Sequence, residues 1–155
     1  MKKLFQCHIC GSDCEYLLAQ KILSKYKVKY FRCKECKFVQ SDTPYWLKEA
    51  YGSAIIETDT GILSRNYVLS RIVAAIIILL GERNTKILDY AGGYGIMTRM
   101  LRDIGIDCFW TDKHAENIYS KSFIGLNKEK YNTVTLFEVF EHLENPKQEL
   151  KKIIK

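Results

Sequence analysis

Residues 86–96 read KILDYAGGYGI, and this stretch decides the fold. Lys86–Tyr90 is a short hydrophobic strand, Ala91–Gly95 is a turn with few bulky side chains, and a helix is predicted over Ile96–Ile104. In such a strand–turn–helix the backbone can approach a ligand closely, and free helix N–H groups face it. The dinucleotide pattern G-x-G-x-x-G fails, because Thr98 stands where its third glycine is required.

Alternating strands and helices continue after this stretch. Strands are predicted at Asp107–Asp112 and Asn132–Phe137, with a stub of strand around Phe123–Leu126. A short helix is predicted at Ala115–Lys121. A last helix begins at Asn145-Pro146, with asparagine as its cap and proline at its first position. This alternation predicts an α/β fold with a parallel sheet.

Two C-x2-C pairs lie near the N-terminus, separated by 22 residues. Each pair places two sulfurs on one side of a tight loop, and two such loops complete a tetrahedral four-thiolate shell that suits zinc. A closed shell leaves no open coordination position, so the metal is predicted to be structural. The predicted ligands are Cys7, Cys10, Cys33 and Cys36. Short strands at Glu15–Ala19, Val28–Arg32 and Phe38–Gln40 make this region a small β-rich zinc ribbon.

The composition is that of a soluble globular protein, with 155 residues, 47% hydrophobic and 27% charged. The net charge of +6 is carried by residues 1–40, which hold nine Lys/Arg against three acids. This balance fits either a solvated basic module that partly compensates the thiolates, or a surface for nucleic acid or another anion. Six cysteines without an export signal favour metal and thiols over disulfides, and a cytoplasmic location.

Residues 42–84 are predicted to form a helical connecting segment. One helix opens at Thr43-Pro44 and runs to Tyr51-Gly52. A second helix is capped around Asp59-Thr60-Gly61 and ends at Gly81. Its most apolar run, Ile72 to Leu80, has nine residues, about half of what a bilayer span needs. We expect this run to be a buried helix face and expect no membrane partner. The predicted domains are thus residues 1–41, 42–84 and 85–155.

The pattern acid-x3-G-x-G from Asp89 to Gly95 resembles motif I of the class I S-adenosylmethionine (SAM) methyltransferases. Ala91 stands where that family usually has glycine, which is costly if the residue must adopt a positive φ. Asp112 ends the second strand, where an acceptor-only carboxylate can take both ribose hydroxyls. Residues 135–146, TLFEVFEHLENP, look like the segment after the fourth strand in many methyltransferases that act on small molecules.

The whole chain resembles the zinc-ribbon class I methyltransferases of sugar and secondary metabolism. The resemblance implies an incomplete Rossmann-like sheet, with SAM as cofactor. The implied cofactor-binding residues are Asp89, Tyr90, Ala91, Gly92, Gly93, Gly95, Asp112, Lys113, Phe137, Glu138 and Val139. Glu141 and His142 are the implied catalytic residues, near the reacting methyl. His142 is either a general base or a hydrogen-bonding neighbour.

The resemblance implies a small-molecule methyl acceptor such as a sugar or metabolite. A ribosomal-RNA methyltransferase and a non-catalytic zinc-binding fragment are the alternatives. The family's sheet has seven strands in the order 3-2-1-4-5-7-6, and this sequence supplies strands 1, 2 and 4. We therefore expect a C-terminally truncated chain that is inactive alone and self-associates through an exposed sheet edge.

Overall fold

The computed structural model describes residues 5–50, 59–81, 84–125 and 129–154. The chain forms two compact units. Residues 1–52 and 140–155 make the first unit, and residues 53–139 make the second. Each unit has its own sheet and its own cluster of buried side chains. The three predicted domains are not directly tested by this division and remain a prediction.

The first unit is built on an antiparallel three-stranded sheet in the order β1-β2-β3. β1 spans Cys14–Ile22, β2 spans Tyr26–Cys33 and β3 spans Val39–Ser41, so the three predicted strands are confirmed with longer bounds for the first two. A bulge between Tyr16 and Leu18 shifts the register of β1 against β2. Phe5, Ile9, Phe31 and Phe38 pack around the buried cysteines of this sheet.

The first unit has two α-helices, of which α4 agrees closely with its predicted start and α1 is shorter than predicted. α4, Pro146–Ile153, has Asn145 as its cap, and the Asn145 side chain accepts a hydrogen bond from the Gln148 amide at 3.2 Å. The predicted cap and first-turn proline are therefore confirmed. α1, Leu47–Ala50, is a single turn that starts three residues after Pro44. Its predicted end at Tyr51-Gly52 lies outside the described residues.

The second unit is built on a parallel sheet in the order β5-β4-β6. β4 spans Lys86–Tyr90, β5 spans Asp107–Thr111 and β6 spans Thr133–Thr135. Ile124 forms an isolated parallel bridge with Trp110 on the far side of β5. In the numbering of the predicted seven-stranded sheet, β4 is strand 1, β5 is strand 2, the Ile124 bridge lies at the place of strand 3, and β6 is strand 4. Their order in space is 3-2-1-4, as predicted. The α/β class with a small parallel sheet is confirmed, as a partial methyltransferase-type fold.

Two helices cover the second unit's sheet, α2 at Ile62–Leu79 and α3 at Ile96–Asp103. Their buried side chains form one core with β4 and β5, in which Ile87, Leu101 and Cys108 are fully buried. Gly105 follows α3 with a φ of 82°, the positive value expected of a glycine that ends a helix. The predicted strand and helix around the glycine turn are confirmed almost to the residue.

The expectation that Ile72 to Leu80 is a buried face is wrong for most of that run. Val73, Ala74 and Ile77 are buried, but Ile72, Ile76, Ile78, Leu79 and Leu80 are exposed. The buried positions fall on one helical stripe, so the apolar residues between them face outward. α2 is long and apolar enough by length and composition to cross a membrane, and 22% of that span is buried. The core helix of a soluble protein can pass the same test.

The helix predicted at Ala115–Lys121 does not form, and its backbone groups serve the glycine turn instead. The amides of Ile118 and Tyr119 both donate to the Tyr94 carbonyl, at 3.1 and 3.0 Å. The Asn117 side chain binds the backbone of Ser120, accepting from its amide and donating to its carbonyl. Side-chain bonds of this kind compete with the i to i−4 pattern, so the segment stays irregular.

Candidate functional site

The glycine turn, residues 91–95, lies at the carboxyl end of β4, between the ends of β5 and β6. The chain leaves β4 towards β5 on one side and later returns to β6 on the other. This is a topological switch point, the place where open parallel sheets bind ligands. Gly95 begins α3 with a φ of 79°, which glycine adopts without strain.

The three glycines of the turn have different surroundings. A Cβ on Gly92 would lie 2.6 Å from Asp89 Oδ2 and 2.9 Å from Trp110 Cδ1, and one on Gly95 would lie 2.9 Å from Asn117 Oδ1. A Cβ on Gly93 would meet nothing within 4 Å. Gly92 and Gly95 are thus required by protein packing, whereas Gly93 borders the open side that a ligand can approach.

Ala91 and Glu138 are non-glycine residues in the left-handed region, with φ of 57° and 55°. Ala91 comes directly after β4, and Glu138 lies three residues beyond the end of β6. Backbone strain of this kind concentrates at functional sites. Ala91, where the family usually has glycine, thus adopts the positive φ that strains a residue with a Cβ.

Asp112 is bound to the glycine turn. Its Oδ2 accepts from the Gly93 amide at 2.9 Å, and its Oδ1 accepts from the amides of His114 and Ala115 at 2.7 and 2.9 Å. A carboxylate has about four lone-pair sites, so about one remains for another donor. The structure thus places the predicted acid at the turn.

Asp89 lies beneath the turn, with 3% of its surface exposed. Its Oδ2 accepts from Thr98 Oγ1 at 3.0 Å and its Oδ1 from Thr135 Oγ1 at 3.1 Å, so one carboxylate joins β4, α3 and β6. Burial raises the pKa of Asp89 to about 6, against the effect of these hydrogen bonds. Asp89 therefore fixes the strands and helix that carry the turn.

The other predicted cofactor residues differ in exposure. Val139 is buried, and Phe137 packs against the core of the second unit. Tyr90 is half-buried and Lys113 is exposed.

Near Glu138 lies Arg65, which pairs with Asp59 at 2.8 Å. The pKa of Arg65 is raised mainly by Asp59 and to a lesser extent by Glu138.

Several residues that hold the site were missed by sequence reasoning. Trp110 Nε1 donates to the Gly93 carbonyl at 2.9 Å, and Ser120 Oγ donates to the Gly95 carbonyl at 2.7 Å. Thr98 and Thr135 bind Asp89, as described above. Their partners lie on other elements, so no local pattern in the sequence marks these four residues.

The four predicted cysteine ligands meet at one end of the antiparallel sheet. Their sulfurs all lie within 4.8 Å of one another. The Sγ–Sγ distances are 3.6 Å for Cys7–Cys36, 3.5 Å for Cys10–Cys33 and 3.6 Å for Cys10–Cys36. A tetrahedron with Zn–S bonds of about 2.3 Å has edges of about 3.8 Å, so the four sulfurs fit a zinc ion.

The two cysteine loops share one backbone pattern. The amide of Cys7 donates to the Ser12 carbonyl at 2.9 Å, and the amide of Cys33 donates to Phe38 at 2.8 Å. Gly11 and Lys37, which follow the second cysteine of each loop, both have positive φ. Hydrogen bonds from the side chain and backbone of Ser12 lower the pKa of Cys10, whereas burial and hydrogen bonds with the other cysteines raise that of Cys36. Cys14 lies outside the cluster, and burial raises its pKa to about 11.

Glu141 and His142 lie in a 3-10 helix, Phe140–His142, and are exposed. They belong to the first unit, with the cysteine loops. The segment after them is tied to the first loop: His8 Nδ1 lies 2.7 Å from the Glu144 carbonyl, and Lys147 Nζ donates to the Ile9 carbonyl at 3.0 Å.

A family model described as a methyltransferase domain matches residues 64–155, more than half of the chain. The chain belongs to this methyltransferase domain family. The match begins in α2 and includes the glycine turn, Asp112 and the Glu141–His142 segment, and it supports methyltransferase activity. It gives no substrate class. Comparison with curated proteins gave no match.

Proposed function

We propose that this chain is the cofactor-binding portion of a SAM-dependent methyltransferase with a structural zinc ion. The observation that carries the proposal is the hydrogen bond between Asp112 and the Gly93 amide. It joins the acid after β5 to the glycine turn after β4, at the switch point of the parallel sheet. A nucleoside needs a hydroxyl acceptor next to an open backbone turn, and these two residues provide both.

The residues around the turn divide into those that contact the cofactor and those that hold them. Gly93 presents its open side, and Asp112 offers its remaining lone pair to one ribose hydroxyl. A second hydroxyl would have to replace one of the three amides that Asp112 accepts from. Glu138 and Val139, which follow β6, are the proposed cofactor contacts on that side, while Asp89 holds the turn through its bonds to Thr98 and Thr135. When bound, SAM supplies an electrophilic methyl group on its sulfonium.

Transfer of that methyl group requires a nucleophilic acceptor atom in line with the methyl–sulfur bond and, for an alcohol or amine, removal of a proton. His142 is the proposed proton acceptor, and Glu141 is the acid beside it. Both are exposed, so they are accessible to a substrate. In a form of the protein that methylates an acceptor, His142→Gln leaves the pH–rate profile unchanged if His142 is only a hydrogen-bonding neighbour.

The proposed acceptor is a small molecule such as a sugar or another metabolite. Enzymes that methylate the amino groups of nucleic-acid bases usually carry an Asn/Asp-Pro-Pro-aromatic loop after the fourth strand. Here residues 137–140 read FEVF at that place. A nucleic-acid substrate is the second candidate, since the first unit carries the basic charge of the chain.

The four thiolates of the first unit are the proposed zinc site. With all four positions filled by sulfur, the metal has no open site for chemistry and serves to hold the cysteine loops together. Zinc analysis of the purified chain is expected to give about one ion per molecule. Iron in its place, or full zinc retention by a Cys33→Ser variant, would contradict this assignment.

The cofactor assignment is tested by calorimetry of SAM binding to the full chain and to two variants of β5. Asp112→Ala is expected to weaken binding by about 1.5–3 kcal/mol, because a hydrogen bond to a charged group is lost. The matched control is Asp107→Ala, at the amino end of the same strand, where the carboxylate pairs with Arg102 at 2.5 Å. Equal affinity for the two variants would remove Asp112 from the site.

A further inference from the structure

One face of the β1–β2 hairpin carries three lysines. Lys21 stands directly opposite Lys27, and Lys29 stands opposite Ala19. Because side chains alternate between the two faces of a strand, Lys27 and Lys29 share a face, and Lys21 joins them through its pairing. All three side chains are exposed. We call this set the lysine face.

The lysine face is unfavourable for the sheet itself. Like charges directly opposite each other on neighbouring strands destabilise the pair. Among the described residues no carboxylate lies within ion-pair distance of these lysines, whereas Lys25, in the turn of the same hairpin, pairs with Glu49 at 2.6 Å. The folding of the hairpin therefore gives no reason for three lysines at these positions.

The charge of the metal site does not explain the lysine face either. Cys33 is the nearest ligand along β2. Lys29 is four residues away and Lys27 is six, which correspond to about 13 and 20 Å along a strand. The Debye length at physiological salt is about 8 Å, so exposed charges at these separations are largely screened from the thiolates.

At the turn end of the hairpin the opposite face is covered, so there the lysine face is the side presented to solvent. Val28 is fully buried on that opposite face. The ring of Tyr26 lies 5.6 Å from that of Tyr45, and Trp46 beside it is 6% exposed. At the other end, Phe31 of the lysine face stacks on Phe5 with ring centroids 4.3 Å apart, and Cys33 is buried.

An aromatic side chain completes the lysine face. Tyr16 pairs with Phe31, which shares the face of Lys27 and Lys29, and 58% of the Tyr16 surface is exposed. The row from the Tyr16–Phe31 pair to Lys27 spans about 13 Å, at about 3.4 Å per residue. A single phosphate or diphosphate is too short to contact both ends of this row.

We propose that the lysine face binds single-stranded nucleic acid, with a base stacked on Tyr16 and successive phosphates bound by Lys29, Lys27 and Lys21. Exposed aromatic rings beside a row of basic side chains are how proteins bind single strands without reading their sequence. The uncharged part of the face is Ala19 and two aromatic rings, Tyr16 and Phe31, with the exposed Leu17 in the bulge beside them. The rings favour stacking on bases, and vesicle binding tests the alternative of an anionic membrane. This binding does not depend on the cofactor or on the identity of the methyl acceptor.

The test is fluorescence anisotropy of a labelled oligouridylate with the full chain at several salt concentrations. Three phosphate contacts predict a slope of log K against log salt of about −2, at about −0.7 per contact on a single strand. The triple variant K21Q/K27Q/K29Q is expected to remove this slope. Tyr16→Ala is expected to weaken binding about ten-fold or more with the slope unchanged, and Tyr16→Phe to bind as the parent chain does.

The matched control is K121Q/K130Q/K151Q, which removes the same charge from exposed positions outside the hairpin. Equal loss of binding in both triple variants would overturn the proposal, as would no oligouridylate binding by the parent chain at low salt. Binding to phosphatidylserine vesicles but not to oligouridylate would also overturn it, in favour of a membrane surface. Circular dichroism and zinc content of each variant identify any that fails to fold.

Discussion

Ala91 shows how one residue can satisfy a sequence pattern and still strain the backbone. Its φ of 57° lies in the left-handed region, which costs a residue with a Cβ about 1–2 kcal/mol. The sequence identified the position, but the sign of φ depends on how the turn meets α3. The residue types alone do not determine that sign.

Ala91→Gly is therefore expected to raise the free energy of unfolding by about 1 kcal/mol, after the greater flexibility of glycine in the unfolded chain is subtracted. The same substitution at Ala75, exposed within α2, should lower it by about 1 kcal/mol. Urea denaturation of both variants measures the two effects. Destabilisation at both positions would contradict the left-handed conformation of Ala91.

Asp89 makes the stability of the second unit depend on pH. The pKa of Asp89 is raised from 3.8 to about 6 by burial, so the folded state binds a proton more readily than the unfolded state does. The resulting stabilisation is complete below pH 4 and is lost as the pH rises through 6. At 1.36 kcal/mol per unit of pKa, its size is about 3 kcal/mol.

Asp89→Asn is expected to abolish that loss between pH 4 and 6, since Asn cannot titrate but can still accept hydrogen bonds. Thr98→Val removes one hydrogen bond to the ionised carboxylate and should shift the loss to higher pH. Guanidinium unfolding of the three proteins across this range is the measurement. If the free energy of unfolding of Asp89→Asn depended on pH as that of the wild type does, another group would be responsible for the pH dependence.

Among the elements, the hydrogen bonds of His8 and Lys147 connect the first cysteine loop to the segment after Glu141 and His142. Zinc in the four-thiolate site should therefore order residues 140–147 as well as the cysteine loops. Hydrogen exchange is expected to accelerate in both segments when zinc is chelated. His8→Ala should accelerate exchange only in residues 140–147, with zinc content unchanged. Lys151→Ala, exposed on α4, is the control, and equal acceleration there would argue against the link.

The elements also show which sequence signals are reliable. β4, the glycine turn and α3 were predicted almost to the residue, because hydrophobic periodicity and glycine positions both act locally. The helix at Ala115–Lys121 was wrong because its amides bind Tyr94, a contact between segments far apart in the chain. The four cysteines were found because metal-ligand spacing is itself a local pattern. Trp110 and Thr135 were missed because their partners lie on other elements.

For the whole molecule, the outward side of α2 is an exposed apolar surface, formed by Val68, Ile72, Ile76, Leu79 and Leu80. Large apolar patches on soluble proteins favour association. The outer side of β6 also has no neighbouring strand among the described residues. We expect the chain to self-associate as its concentration rises.

Light scattering across concentrations measures this association. The double variant I72K/I76K is expected to lower the mean mass at a given concentration, because two charges would be buried in the contact. Glu116→Lys, which changes the charge by the same amount at an exposed position outside α2, should leave the mass unchanged. If the chains associate through the edge of β6 instead, I72K/I76K will have the same mean mass as the parent chain at each concentration.

The two tryptophans of the chain are divided between the two units, with Trp46 in the first and Trp110 in the second. The indole of Trp110 donates directly to the Gly93 carbonyl, so its emission is sensitive to any ligand that rearranges the glycine turn. In a Trp46→Phe variant, intrinsic fluorescence reports on the turn alone. In a Trp110→Phe variant it reports on the unit that holds the cysteines. Cofactor and metal titrations can thus be followed optically, one unit at a time, without an attached dye.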